Sequence, residues 1–438
     1  MTRVPFVKAL CGGVVFNLIA ACSASDGPSG HGLTAQPPPA AAGSGGLAGA
    51  GGTSAAGGSG SMPTLNIGGV SSGGGPVSCG FPDCDADGFT VEQGDLGDMD
   101  PMVNPGAYDV PANGIDEDCN GVADDTVTAC DHVITDVADT DPNNAARGIG
   151  LCHFATETDR RWGILSAAYV FADGKHGPDP IGHGLPNDFG PNVVPLEGQR
   201  LLVLSSGTAR RPKDKDYRSP MGAQHGPLDP DLMIATGELT ELPPGFPIES
   251  PACPGVMLLP DAPAYDAAGL ELTIRVPTNA RSFRFKFNFY TYEFPGYICS
   301  AFNDFFLALQ DPPPPDALLG NISFDSQNNP VSVNNGYLEV CDPAIGATMP
   351  GGKTFACALG TDQLTDTGFD DIDGAGSHAA TGWLETASPV EPGSIVKLRL
   401  VVHDMSDPVL DSTVLIDQFE FSTEPAMGPV TTPVEVPK

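Results

Sequence analysis

Positive charge is what this 438-residue chain has least of: 20 Lys and Arg stand against 55 Asp and Glu, a formal net charge of −35. So acidic a surface repels phosphate backbones and anionic headgroups, which excludes nucleic acid as a partner and a bilayer held by charge. Long apolar runs are missing too. The stretch Ala9 to Ala21 is mostly apolar but too short to span a membrane. No unit recurs at a fixed period, which argues against a propeller or a solenoid. The chain has no GxSxG elbow, no HExxH helix and no P-loop, so no catalytic signature presents itself. Histidines number 8, and the spacing of His176 and His183 in a Gly/Pro-rich loop fits no compact zinc site. Gly (55) and Pro (44) are abundant, as expected of linkers and of loop-rich β structure.

Residues 1–21 read as an export signal, with Arg3 and Lys8 ahead of the apolar run. The run ends in Leu18-Ile19-Ala20-Ala21-Cys22, which resembles a bacterial lipobox. That resemblance implies cleavage before Cys22 and lipidation of its thiol and amine. Several acyl chains there would give a durable anchor. Ser23 in place of Asp implies outer-membrane retention, so the expected location is the outer membrane or cell surface. Residues 22–78 are Gly, Ala, Ser and Pro with almost no charge, a linker expected to be disordered and to span on the order of 40 Å.

Setting aside Cys11 and Cys22 leaves Cys79, Cys84, Cys119, Cys130, Cys152, Cys253, Cys299, Cys341 and Cys357. The number is odd, so at least one thiol stays free or pairs between molecules. Export favours disulfides. Proximity along the chain suggests Cys130–Cys152 and Cys341–Cys357, then Cys84–Cys119 and Cys253–Cys299.

Residues 79–128 are a different material. Between Cys79 and Thr126 stand thirteen Asp or Glu and no Lys or Arg. Asp83-x-Asp85-x-Asp87-Gly88 and Asp116-x-Asp118-x-Asn120-Gly121 each repeat the first half of an EF-hand calcium loop. Oxygens at alternate positions converge when the chain curls, and the sixth-position Gly permits the turn. The EF-hand Glu at position twelve is replaced by Gly94 and Val127, so other acids must complete the spheres: Asp95, Asp98 and Asp100, or Asp124 and Asp125. Hard oxygen donors in flexible number favour Ca²⁺. The order DADGFT, GDLGDMDP, NPGA and NGIDEDCNGVADD resembles a metal-binding module of secreted bacterial proteins and is similar in style to thrombospondin type 3 calcium repeats. The chain departs from the module at Leu96, where that family has Cys.

From residue 129 to 422 the signals are those of one globular unit. Asp141-Pro142 reads as the start of a short helix over NNAARGIG. Strand patterns follow at 162–171, 200–206, 270–276, 321–324, 331–335, 395–404 and 412–421. The strongest signal is SFRFKFNFYTYEFPGYICSAFNDFFLAL, from Ser282 to Leu309. Phe283, Phe285, Phe287 and Phe289 alternate with Arg284, Lys286 and Asn288, the pattern of a half-buried antiparallel strand. Eleven of the chain's 29 Phe and Tyr lie between Phe283 and Phe306, which marks the centre of one core. These features predict an all-β fold, a β-sandwich of jelly-roll type, with a disordered tail over 423–438. The segments WGILSAAY, FGPNVVPLEGQRLLVLSSGTAR, FNFYTYEFPGYICSAFNDFFLAL, GNISFDSQNNPVSVNN, ATGWLETASPVEPGS and DSTVLIDQFEF resemble the choice-of-anchor L domain. That resemblance implies an exported bacterial surface protein and brings no established enzymatic activity with it, so function has to be argued from the residues.

Polar residues at strand ends form the remaining candidate set. Glu293, Asn303, Asp304, Asp404 and Asp411, with Asp407 and Asp417 nearby, could grip a glycan or hold a second calcium. The competing reading is that they cap turns. The loop Ala209–Arg218 carries five basic residues and reads as an exposed protease site. The expected function is a lipid-anchored surface protein whose calcium-stabilised spacer presents a sandwich to a glycan or protein partner. The alternatives are a polysaccharide hydrolase using a carboxylate pair such as Glu293 and Asp304, and a purely structural envelope protein.

Overall fold

The computed structural model describes residues 79–124, 129–222, 224–231, 235–248, 250, 252–253, 262–347, 352–370 and 377–434. The export signal, Cys22, the linker and Asp125 lie outside them.

Alternating side chains and β-branched or aromatic residues place most of the described chain in strands. In chain order these begin with β1 (Gly163–Val170), β2 (His183–Gly184), β3 (Leu202–Ser205), β4 (Leu239–Thr240), β5 (Ala264–Arg275) and β6 (Ser282–Thr291). They continue with β7 (Phe305–Asp311), β8 (Val331–Ser332), β9 (Ala379–Ala380), β10 (Leu384–Pro389), β11 (Ile395–Met405), β12 (Ser412–Ser422) and β13 (Val430–Pro433). One antiparallel sheet runs β1-β5-β11-β7-β8, with β4 also on β5; the other runs β13-β10-β6-β12-β3-β2, with β9 on β6. The two sheets pack as a sandwich, so the fold is all-β as expected.

The aromatic stretch is its centre. Phe283, Phe285, Phe287 and Phe289 of β6 are all buried, in one cluster with Leu272 and Ile274 of β5, Leu400 and Val402 of β11, and Phe306 of β7. Each such ring contributes about 1.5–3 kcal/mol by leaving water. The opposite face of β6 departs from simple alternation. Arg284 is exposed, yet Asn288 is fully enclosed and donates to Gln363 at 3.2 Å. A second cluster explains this, because Phe189, Leu364, Phe369 and Trp383 cover Tyr290 and Tyr292 on the outer side of the sheet. Loops therefore bury half of a face that the sequence pattern assigned to water.

The short helix is α1 (Pro142–Gly148), started by the Asp141 carboxylate accepting from the Asn143 amide. A second, α2 (Pro343–Gly346), begins the same way at Asp342. Three expectations need correction. The tail is not structureless over its described part: β13 pairs with β10, Pro433 opposite Leu384 and Val430 opposite Ala387. Its threonines and valine supply strand character that the flanking prolines obscure. Residues 321–324 form isolated bridges and no strand, with Ile322 donating to the Ala308 carbonyl at 2.8 Å. The start of the basic loop, Ala209 to Arg211, is folded inward, whereas Lys213, Lys215 and Arg218 are exposed as expected. Arg210 is buried and donates to the carbonyls of His183 and Ala209 at 2.7 and 2.8 Å. Arg211 makes a two-pronged contact with Asp214 at 2.8 Å on each side. A planar guanidinium fits a carboxylate in this way, which recruits it into the structure.

Four disulfides close: Cys79–Cys84, Cys130–Cys152, Cys253–Cys299 and Cys341–Cys357. They mark a chain folded in an oxidising compartment outside the cytoplasm. The expected Cys84–Cys119 bond is absent because the nearer Cys79 takes Cys84, and Cys119 is the free thiol among the described residues.

Candidate metal centre

The two Asp-rich loops fold by the same local rules. In the first, Asp83 accepts from the amides of Ala86 and Gly88 at 2.7 and 3.0 Å. Asp85 accepts from the Asp87 amide at 3.1 Å, and Asp87 from the Phe89 amide at 2.7 Å. In the second, Asp116 accepts from the amides of Asn120 and Gly121 at 3.0 and 2.9 Å. Asp118 then accepts from Asn120 at 3.1 Å, and Asn120 from Val122 at 2.9 Å. Short polar side chains that bond their own backbone two residues on curl the chain into a cup. Gly88 and Gly121 sit at φ +97° and +96°, a backbone shape that a Cβ would strain.

The loops differ in what the cup holds. Asp83, Asp85 and Asp87 bring one oxygen each to within 4.8 Å of one another, the one such group among the described residues. Asp95, buried, and Asp98 join them: Asp85, Asp98 and Asp83 all act electrostatically on Asp95. Three oxygens here, Oδ2 of Asp85, Asp87 and Asp95, are enclosed without a hydrogen-bond partner. Burial, and then the neighbouring Asp85, Asp95 and Asp83, push Asp87 up to about 6. Three converging carboxylates, with unpartnered oxygens on Asp85, Asp87 and the neighbouring Asp95, fit a cation. Asp100 stands outside this group, exposed, and caps the Met102 amide at 3.1 Å. In the second loop Asn120 replaces the third acid, and its amide donates to Asp118 at 3.0 Å. Asp124 closes that loop by accepting from the amides of Asn113 and Gly114 at 2.7 and 2.8 Å.

The module rests on the sandwich. Asn279, in the turn between β5 and β6, accepts from the Tyr108 amide and donates to the Tyr108 carbonyl, both at 2.8 Å. Thr278 donates its amide to the Gly106 carbonyl at 2.9 Å and its hydroxyl to Asn104 at 2.8 Å. Gly106 is needed for this approach, since a Cβ there would stand 2.9 Å from the Phe89 ring. Arg160 reaches the Gly88 carbonyl beside the first loop. Asn279 looks like an ordinary turn residue in the sequence, and nothing there signals this role. Glu117 and Asp109 are likewise buried in the module as backbone clasps, with Glu117 accepting from Val110 at 3.0 Å and Asp109 from Glu117 at 3.1 Å.

The polar set at the sandwich end is brought together, but not as an open cleft. Glu293, Asn303, Asp304, Asp404 and Asp411 are between 0 and 2% exposed. A glycan does not reach side chains so enclosed. Asn303 is a turn clasp, accepting from the Asn334 amide at 3.0 Å. Asp407 caps Val409 at 2.9 Å, and Asp417 accepts from Leu196 at 2.6 Å. Asp304 accepts from the Ser412 hydroxyl at 2.7 Å and the Met405 amide at 3.3 Å. Burial raises Glu293, Asp404 and Asp411 well above the usual carboxylate range, and neighbouring acids add to it. His183 is not poised for zinc: it is buried, stacks on Tyr169 at 3.6 Å, and burial lowers it to about 3.

Residues 97–125 match the family model Cu-binding MopE, which describes a metal-binding motif. The match takes in the second loop and the Asp98 ligand candidate, and the first loop lies just ahead of it. No curated protein and no solved structure matches the chain.

Proposed function

We propose that this is an exported surface protein in which a calcium-holding Asp-rich module is clamped to a β-sandwich that binds a glycan or protein partner. The observation that carries the metal part is the first loop. Its three carboxylates converge within 4.8 Å, and Asp95, with Oδ2 unpartnered, lies near enough to feel their charge. The matched family's name mentions copper, but the donors here are carboxylate oxygens. Residues 79–126 hold no His, and their thioethers and single free thiol are not part of the converging group. Oxygen donors in flexible number suit Ca²⁺, whereas copper prefers imidazole and sulfur. Calcium neutralises acids that otherwise repel one another and so stiffens the segment between the N-terminal chain and the sandwich.

The lipobox-like Cys22 supplies the anchor in this reading, and the resemblance of 129–422 to the choice-of-anchor L domain supports a role at the cell surface. The sandwich works as a binding and presenting domain. Enclosure of Glu293 and Asp304 speaks against the hydrolase alternative, because a polysaccharide cannot approach that pair.

Limited proteolysis of the purified chain with calcium, with copper and with chelator tests the module. Calcium should protect 79–124 at least tenfold and copper should not. Asp85→Asn/Asp87→Asn should abolish the difference. Equal cleavage in calcium and chelator would remove the metal from the proposal.

A further inference from the structure

The apolar rows that line the space between the sheets end, at one end of the sandwich, in acids. In β7 the row Ala308, Phe306 runs on to Asp304. In β11 the row Leu400, Val402 runs on to Asp404, and in β12 Ile416, Val414 run back to Ser412. The β7–β11 ladder pairs His403 with Phe305, and one further step in the same register sets Asp404 opposite Asp304. Like charges facing each other across a ladder destabilise it unless something neutralises them. Asp411 enters from the turn before β12, and Glu293 from the end of β6.

The hydrogen bonding of this cluster is incomplete in a specific way. Neither oxygen of Asp404 and neither oxygen of Asp411 has a partner, and Glu293 Oε2 has none. All three residues are at most 2% exposed, so bulk solvent does not hydrate them. The Ser206 hydroxyl lies beside Asp404 and within donating reach of the Ser412 carbonyl, at 3.2 Å. No basic side chain among the described residues forms an ion pair with any of them. Protonation resolves this only in part: Asp404 can share a proton with the facing Asp304, but both oxygens of Asp411 and one of Glu293 still lack a partner. Asp411 comes close to the backbone of Gly207, where a Cβ would stand 2.0 Å from its Oδ2.

We propose that Asp304, Asp404, Asp411 and Glu293 hold a hard divalent cation of the calcium class inside the sandwich, at a site separate from the Asp-rich module. All the donors are oxygens, and the ion satisfies at once the facing charges and the orphaned carboxylates. The three acids of the first loop lie within 4.8 Å of one another, and these carboxylates do not gather so closely, so binding draws them together by side-chain rotation. The ion cross-links β7, β11 and the start of β12, which joins the two sheets at the end where apolar packing stops. The site goes beyond the module reading and stands or falls apart from it.

The test counts tightly bound calcium in the full chain after chelation and back-titration, using Asp85→Asn/Asp87→Asn/Asp118→Asn to disable the module. That variant should retain one calcium per chain and a calcium-dependent rise in melting temperature. Adding Asp404→Asn/Asp411→Asn should remove both, and Glu293→Gln should weaken binding at least tenfold. If the module-disabled chain holds no calcium, the inner site is refuted while the module reading stands. If calcium remains after Asp404→Asn/Asp411→Asn, the inner site is also refuted. The first of these counts uses an unaltered sandwich, so it decides the matter even if the inner variant fails to fold.

Discussion

Removing the Asn279 side chain should release the module from the sandwich. Asn279 is 1% exposed and forms both polar contacts of Tyr108, to its amide and its carbonyl, each at 2.8 Å. Asn279→Ala leaves both groups without partners in a half-buried seam. An orphaned buried polar group costs about 1–3 kcal/mol, so the loss for two partly accessible ones is about 2–4 kcal/mol. The Thr278 contacts to Gly106 and Asn104, at 2.9 and 2.8 Å, remain and keep the sandwich turn itself intact. At 1.4 kcal/mol per tenfold, local opening of the seam should become about 30- to 700-fold more frequent. Hydrogen exchange of the peptide covering Met102–Tyr108, read by mass spectrometry, measures this directly. Asn279→Asp keeps the acceptor for the Tyr108 amide and loses the donor, so it should show a smaller change. If Asn279→Ala alters exchange less than threefold, the module is not held by this turn. A loss of protection spread equally through β6 and β12 would refute the reasoning as well.

Three further outcomes are expected. Trypsin acting on the native protein should cut the basic loop after Lys213, Lys215 or Arg218, which are exposed, and not after Arg210, which is buried; early cleavage after Arg210 would contradict its bond to the His183 carbonyl. Burial raises Asp417 to about 7 and Glu197 to about 7. A carboxyl raised on folding contributes stability that is full below its ordinary value near 4 and lost as pH climbs through the raised one. The melting temperature in chelator should therefore fall between pH 4 and pH 8, less steeply in Asp417→Asn; parallel curves would exclude Asp417 as a source. Cys253→Ser/Cys299→Ser opens a bridge between residues 46 apart, and loop entropy puts its loss at about 4 kcal/mol. Denaturant unfolding checks that figure, and a loss below 1 kcal/mol would show that the segment is held without the bridge.

The sequence by itself determined class and chemistry because both rest on local patterns. Alternating Phe residues specify a strand and its buried face whatever the neighbours are. The two DxDxDG-type runs curl through bonds between residues two to five apart, so their cups are written in the chain. Partner choice was legible for Cys130–Cys152, Cys341–Cys357 and Cys253–Cys299, whereas Cys79, five residues from Cys84, takes the thiol that was expected to bond Cys119. The tertiary structure decided the rest, because it depends on which distant segments meet. Asn288 alternates as a surface residue and is buried by loops some 75 residues away. Arg210 and Arg211 read as solvent-facing charges until a carbonyl and a carboxylate claim them. Glu293, Asp304, Asp404 and Asp411 look like scattered turn acids across more than a hundred residues of chain. Pairing of β7 with β11, and packing of the two sheets, turns them into one enclosed cluster, and that enclosure separates an ion site from a surface cleft.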